Sequence, residues 1–321
     1  MQSGATVVAA CALACASATT HAQTSFPSKS VRIIVPFAPG GGTDAFSRTV
    51  GAKLTQTWGQ QVLVENRPGA QGNIGTAAGA KAPADGYTLT LAYVGTLCIN
   101  PHLYKDTGYD ALKEFAAITR GTLEAWVLVV HPSLPVRSVK ELVALAKQRP
   151  GQLFFASSAS GTQLVGELFK QATGTNITHV PYKGAGPAVI DLLAGNVQIM
   201  YSNPTAAVPH MKSGRLRGLA VTGKQRLETL PDLITGVEAG YPQLDVLGWY
   251  GMVAPSGTPA AIISKLNTDF VAALNASDVR ERMKAIGQQL SPSTAEDFQQ
   301  QIRADYELWG KVVRASGVKA D

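Results

Sequence analysis

Between Val31 and Leu54 the spacing of apolar positions changes twice. Val31, Ile33, Ile34 and Val35 form a short β-branched run, the pattern of a buried strand. Pro36, Pro39 and the triplet Gly40-Gly41-Gly42 then break regular structure and allow backbone angles that residues with a Cβ avoid. Beyond them Thr43 and Asp44 are helix-capping types, and Phe46, Val50 and Leu54 recur every four residues on one helical face. The stretch predicts a strand, a glycine loop and a helix. Such a loop gathers unpaired N–H groups at the positive end of a helix dipole and suits an anion, with an electrostatic contribution of about 0.3–1 kcal/mol at an exposed site. Two other readings share these residues. The glycines also fit a tight βα turn that binds nothing, and Gly40, Gly42 and Ala45 with Glu65 downstream fit the dinucleotide spacing G-x-G-x-x-A. No Lys-Ser or Lys-Thr follows the loop, which excludes a P-loop.

The same alternation continues down the chain. A strand is predicted over 61–65, then a glycine-rich turn, a small-residue helix over 74–81 and a strand over 87–93 that ends beside Thr96. In α/β sheets ligands bind outside the carboxyl ends of parallel strands, so these three strand ends belong to one binding rim. A strand over 124–130 closed by Pro132 and Pro135 marks a lobe boundary. Ser138 and Glu141 form a capping-box pattern for a helix over 139–147. The design then repeats: a strand over 153–156, the loop 157–161, and a helix for which Ser160 and Gln163 offer a capping box. A strand over 177–181 leads through Tyr182-Lys183-Gly184-Ala185-Gly186 into a helix over 187–193, and a strand over 196–201 ends at Ser202-Asn203-Pro204. A helix over 205–212 and a strand over 216–222 complete this second lobe. The run 249–255 is a return strand, Thr258-Pro259 reads as an N-cap with Pro at the first helical position, and Phe298, Ile302, Tyr306, Trp309 and Val313 give the last helix an apolar face. The predicted division is a leader over 1–23, a first lobe from 24–123 and 249–321, and a second lobe over 124–248.

Composition adds limits to this picture. At 321 residues, with 45% hydrophobic and 16% charged content, the chain can bury a core in each of two lobes. The net charge of +6 and pI near 9.2 suit an anionic ligand, while the scattered Lys and Arg residues argue against nucleic acid. Residues 1–23 hold no charged side chain and carry a small-residue apolar segment of signal-peptide length, with a cleavage point near Thr20-His21-Ala22. The product is expected to be exported, soluble and monomeric. Without the leader Cys98 stands alone, so neither an internal disulfide nor a zinc cage is available.

The five histidines are dispersed with no paired metal-ligand spacing, and His102, His131, His179 and His210 are assigned structural or surface places. No glycine stands two before Ser157, Ser158 or Ser160, so G-x-S-x-G fails. No catalytic residue, metal or cofactor is predicted.

Six segments carry a resemblance: VPFAPGGGTD at 35–44, VENRPGAQGNIG at 64–75, ASSASGT at 156–162, HVPYKG at 179–184, GRLRGLAVT at 214–222 and APSGTP at 254–259. In this order, and with the terminal WGKVVRASG, the chain resembles the Bug (TctC-like) extracytoplasmic solute-binding receptors of tripartite tricarboxylate transport systems. The resemblance implies a two-lobed α/β type II periplasmic-binding-protein fold with the ligand in the interlobe cleft, a small organic carboxylate as ligand, and membrane transporter subunits as partners. It implies that backbone amides, hydroxyls and waters, rather than an arginine clamp, hold the carboxylate. Carried over, the first lobe's contacts are Phe37, Ala38, Gly42, Thr43, Asp44, Ala70, Gln71 and Thr96, and the second lobe's are Ser157, Ser158, Gly161, Thr162 and Tyr182. Many relatives that bind acidic amino acids show Asp-Asn where this chain has Ser202-Asn203. The neutral pair predicts a ligand without an amino group, because an ammonium in a closed cleft needs a counter-charge. The lobes are expected to hinge near 123–127 and 246–251. Two alternatives stay beside this one: a nicotinamide-linked oxidoreductase built on Gly40, Gly42, Ala45 and Glu65, and a receptor that signals to a sensor protein.

Overall fold

The computed structural model describes residues 26–318, so the predicted leader and its cleavage point lie outside the described residues. In chain order the elements are β1 (Val31–Val35), α1 (Gly42–Trp58), β2 (Val62–Asn66), α2 (Asn73–Ala80), β3 (Thr88–Tyr93), α3 (Asn100–Leu103), β4 (Phe115–Arg120), β5 (Val127–Val130), α4 (Val139–Gln148), β6 (Phe154–Ser157), α5 (Ser160–Thr173), β7 (Thr178–Pro181), α6 (Ala185–Ala194), β8 (Ile199–Ser202), α7 (Pro204–Lys212), β9 (Arg217–Val221), β10 (Tyr250–Pro255), α8 (Ala260–Asn275), α9 (Ser277–Ala285) and α10 (Ala295–Ser316).

The apolar spacing of the opening stretch has the predicted result. Val31, Ile33 and Val35 are fully buried in β1, and Phe46, Val50 and Leu54 bury one face of α1. Each such side chain contributes about 1.5–3 kcal/mol on leaving water.

Two five-stranded sheets form, in the orders β2-β1-β3-β10-β4 and β7-β6-β8-β5-β9. In the first, β1, β2 and β3 are parallel and β10 runs antiparallel between β3 and β4. In the second, β6, β7 and β8 are parallel and β5 runs antiparallel between β8 and β9. The two sheets thus have the same plan, and the antiparallel strand of each is the one reached after a crossing from the other lobe. This is the two-lobed α/β arrangement expected from sequence.

The crossings also pair with each other. Glu124 and Gly248 exchange backbone hydrogen bonds, N–H to O at 2.8 Å and 2.7 Å. The predicted strand over 124–130 is therefore two pieces, a bridge at Glu124 and β5 proper from Val127. Trp126 lies between them, its N–H donating to Thr222 Oγ1 at 2.9 Å and its ring edge-on to Trp309 of α10.

Several local expectations are corrected. The strand β4 and the helix α9 have no counterpart in the sequence reading. Helix α1 begins at Gly42 rather than after a Thr43 or Asp44 cap, and Asp44 instead reaches back to accept from the Gly40 N–H at 3.1 Å. Ser160 is inside α5, not its cap; Thr162 Oγ1 accepts from the Ser158 and Ala159 N–H groups at 3.0 Å and 3.2 Å. Thr258 does not cap α8, because its hydroxyl is turned back to donate to Pro255 O at 2.7 Å. Ser138 behaves as predicted, accepting from Glu141 N–H, while Glu141 accepts from Arg137 N–H.

Candidate ligand-binding site

A cavity of about 550 Å³ lies between the two sheets' loop ends. The first lobe supplies the loop 37–43, Tyr93 at the end of β3 and Tyr250 at the start of β10. The second supplies Ser158 and Ala159 before α5, Lys183 to Pro187 around the start of α6, and Asn203, Thr205, Ala206 and His210 of α7 and its lead-in. Four helices therefore begin at this wall: α1, α5, α6 and α7.

Three of the four, α1, α6 and α7, have no side-chain cap. At α1 and α6 first-turn N–H groups are left for another acceptor, whereas α7 opens on Pro204, which has no N–H, and its Ala206 N–H is taken by Asn203 O, so it offers only that of Thr205. The aligned peptide dipoles favour negative charge at all three starts. The wall contains no Asp or Glu, one Lys and one His. Two wall residues on α7 carry buried polar atoms without a partner among the described residues, Thr205 Oγ1 and His210 Nδ1. Burial and then the neighbouring Arg215 hold the His210 imidazole below its ordinary value, so it stays neutral near pH 7.

Aromatic packing shapes one side. Phe37 stands edge-on to Tyr93, ring centres 5.4 Å apart, and Tyr93 meets Tyr250 at 5.8 Å. Gly42 is confined there: a Cβ would lie 2.9 Å from Gln288 Nε2 and 3.1 Å from the Tyr250 hydroxyl. Gln288 Nε2 also donates to Gly42 O at 2.9 Å, which fixes the glycine loop.

The residues predicted from sequence fall into two groups. Phe37, Ala38, Gly42, Thr43, Ser158 and Asn203 line the cavity. Asp44 sits behind Thr43, where Arg48 Nε (3.0 Å) and Asn66 Nδ2 (3.0 Å) donate to it. Burial alone would raise its pKa, but these bonds and the Gly40 N–H hold the carboxyl below the usual value, so Asp44 is already neutralised by Arg48. Ala70 and Gln71 occupy left-handed backbone angles, φ 46° and 55°, and Gln71 O accepts from Asn100 Nδ2. Non-glycine residues held there cost of order 1–3 kcal/mol each and are common at ligand clamps. Thr96 is buried in a π-helical turn (Gly95–Ile99), its hydroxyl donating to Tyr93 O.

In the second lobe Ser157 is buried with its hydroxyl 2.7 Å from His179 Nε2. Burial, then Lys170, pushes that imidazole down to about 4. The pair does not line the cavity. Thr162 holds the Ser158 loop, and Gly161 lies against Tyr93. Tyr182 donates its hydroxyl to Asp191 at 2.7 Å. Ser202 is fully buried, turned to Asn203 O. The glycines of the dinucleotide spacing line the cavity, but Glu65 does not; it pairs with Arg67 at 2.6 Å and Arg32 at 3.3 Å.

Lys183, Thr205, Tyr93 and Tyr250 were not singled out by sequence, and His210, assigned there a structural or surface place, instead lines the cavity. The strand-to-helix loop at Lys183-Gly184-Ala185-Gly186 and the positions of Thr205 and His210 along α7 were the available signals. Among the described residues no group of His, Cys, Asp and Glu could hold a metal, and no helix is long and apolar enough to cross a membrane.

Residues 46–318 match the family described as "Tripartite tricarboxylate transporter family receptor". The chain belongs to the tripartite tricarboxylate transporter receptor family. Its members are periplasmic solute-binding receptors. Over 298 residues the chain is 38% identical to Protein BugT of Bordetella pertussis, covering 92% of this chain and 91% of that one. Among solved structures, R. palustris Rpa4515 with adipate superposes with a TM-score of 0.88 at 37% identity, over 92% of this chain and 99% of the other. MatC from Rhodopseudomonas palustris with bound malate gives 0.84 at 30% identity, over 90% and 100%. The two-lobed architecture described above is that of this receptor family.

Proposed function

We propose that this receptor captures a small dicarboxylate between its lobes outside the cytoplasm and delivers it to the membrane subunits of a tripartite transporter. The observation that carries the reading is the convergence of four helix starts on one wall without a carboxylate. Three of those starts lack a side-chain cap. An anion placed there finds backbone donors and dipoles without the cost of turning a competing acid away. The apolar faces of Phe37, Val189, Ile190 and Leu193 suit a short methylene chain between two charged ends. Adipate and malate, the ligands of Rpa4515 and MatC, are both of this type.

Asp44, behind the wall, is already paired and no carboxylate lines the wall, which supports a ligand without an amino group. The ligand-contact set we propose is Phe37, Ala38, Gly42, Thr43, Ser158 and Asn203, with Lys183, Thr205 and His210 added. Closure hinges at the Glu124–Gly248 bridge.

The test is a thermal-shift and calorimetric screen of the mature protein against adipate, malate, succinate, citrate, benzoate, aspartate, glutamate and NAD. A ligand at about 100 times its dissociation constant should stabilise by about 2.7 kcal/mol. Stabilisation by NAD with none by the acids would restore the oxidoreductase. N-terminal sequencing of the secreted product should find a start near Gln23 or Thr24; retention of Met1 on a cytoplasmic product would overturn export.

A further inference from the structure

Glu124 is a buried acid that the carboxylate-binding reading leaves without a task. Its backbone closes the crossing with Gly248, and its side chain is 3% exposed. One carboxyl oxygen, Oε2, accepts from Asn203 Nδ2 at 3.1 Å, and the Tyr250 hydroxyl stands close enough to act on the carboxyl's pKa. The other oxygen, Oε1, has no partner among the described residues. Asn203 and Tyr250 are themselves in hydrogen-bond contact, and both line the cavity. A continuous polar path therefore runs from the cavity wall to this acid.

The groups that face Glu124 are Tyr250 from β10, Tyr93 from β3 and Asn203 from the turn before α7. No Lys, Arg or His pairs with it among the described residues, and neither of the wall's basic groups, Lys183 and His210, acts on its pKa. A carboxylate buried without a cation is costly, and the neutral acid, which can donate as well as accept, is favoured. An anion brought to the wall adds a like charge to the same low-dielectric region and favours the neutral acid further.

We propose that Glu124 is a proton-binding residue of the ligand site: through Asn203 and Tyr250 it couples capture of a carboxylate in the cavity to retention or uptake of one proton from solvent. The proposal rests on the reading of the cavity as an anion site. Its consequence is a charge filter. A ligand that brings a negative group to this wall binds together with the proton, whereas a ligand that brings an ammonium there would expel it. The sign of the proton exchange thus reports which group of the ligand faces Asn203 and Tyr250.

Burial pushes the Glu124 carboxyl up to about 8, against a smaller lowering influence of the nearby Tyr250 hydroxyl. Below that pH the acid already holds its proton and binding exchanges none; above it the free protein has lost the proton and anion binding restores it. His210 titrates below its ordinary value and acts at the opposite end of the pH range.

The experiment is titration calorimetry of the wild type with adipate and malate, at about pH 8.5, in two buffers of different ionisation heat. The expected result is net uptake of about half a proton per acid bound, and an affinity that falls about three- to tenfold from about pH 7 to about pH 9. Glu124→Gln should remove both the uptake and the slope. If that variant does not fold, the two-buffer measurement on the wild type stands alone. No exchange at about pH 8.5, or proton release, would overturn the coupling. Failure of every carboxylate to bind at any pH would instead overturn the reading of the site on which it rests.

Discussion

Gly161, in the first turn of α5, lies beneath the hydroxyl of Tyr93 at the end of β3, so close that a Cβ on Gly161 would come within 2.5 Å of that oxygen. The relationship crosses the cleft, since β3 is in the first sheet and α5 packs on the second. It is matched nearby by Gly95, where a Cβ would meet Ser160 Oγ at 2.6 Å. Glycine on each side lets the lobes meet.

Gly161→Ala should therefore hold the lobes apart. Overpacking of this kind costs about 1–3 kcal/mol, and here the strain can be relieved by opening, so it should appear in binding more than in folding. The expected outcome is about a tenfold weaker dicarboxylate affinity by calorimetry, with a small change in Tm and a larger radius of gyration by X-ray scattering in the presence of ligand. Wild-type affinity would show that this contact is not part of the closed state.

Thr162→Val removes the oxygen that receives the Ser158 and Ala159 N–H groups. Loss of such a cap costs about 1–2 kcal/mol, or about 2–5 °C in Tm for a chain of this size. Thr162→Ser should recover most of it, and differential scanning fluorimetry distinguishes the two. Ligand affinity should fall in the Val variant as well, because Ser158 lines the cavity on the loop that Thr162 holds.

Ser202 and Asn203 are adjacent in sequence but face different surroundings. Ser202 is fully buried and turned to backbone, whereas Asn203 lines the cavity. Ser202→Asp should bury an unpaired carboxylate and lower stability by on the order of 2–4 kcal/mol. Asn203→Asp also removes the amide that donates to Glu124 and lowers stability, but because residue 203 faces the cavity it should move the ratio of glutamate to adipate affinity upward by about tenfold. A folded, wild-type-stable Ser202→Asp protein that alone shifts selectivity would place residue 202 at the ligand.

Stability should carry the mark of Glu124. Its carboxyl titrates near 8 in the folded chain against an ordinary 4.5, with burial as the leading cause. The folded state therefore holds this proton more tightly than the unfolded one. Its contribution to folding is full below about pH 4.5, is lost as the pH rises through about 8, and is level beyond. Relative to Glu124→Gln, which cannot ionise, the wild type should lose a few kcal/mol over that window. Parallel denaturation curves at both ends of the window would show that Glu124 is charged in the fold.

The strand-loop-helix units were legible wherever one short segment carried its own period, as in Val31 to Leu54. The strand β4 was not, since Phe115-Ala116-Ala117-Ile118 shows no alternation and Ala is a weak strand former. Pairing with β10, far downstream, makes it a strand. Local signals likewise misplaced the hydroxyl caps. Ser160 and Thr258 are the right residue types at helix starts, but the conformation of the preceding loop decides which oxygen reaches an N–H. Tyr93, Glu124, Asn203 and Tyr250 lie at the ends of four separate segments, and no spacing announces a meeting that only the crossings create.

The place of β10 between β3 and β4 has a consequence for the order in which the molecule can be built. A chain released from its N-terminus has all five strands of the second sheet by Val221, while the first sheet still lacks an interior strand until Pro255. Until then β3 and β4 have no neighbour between them to pair with. The lobe that begins first is thus completed last, and the polypeptide keeps one half open for most of its emergence.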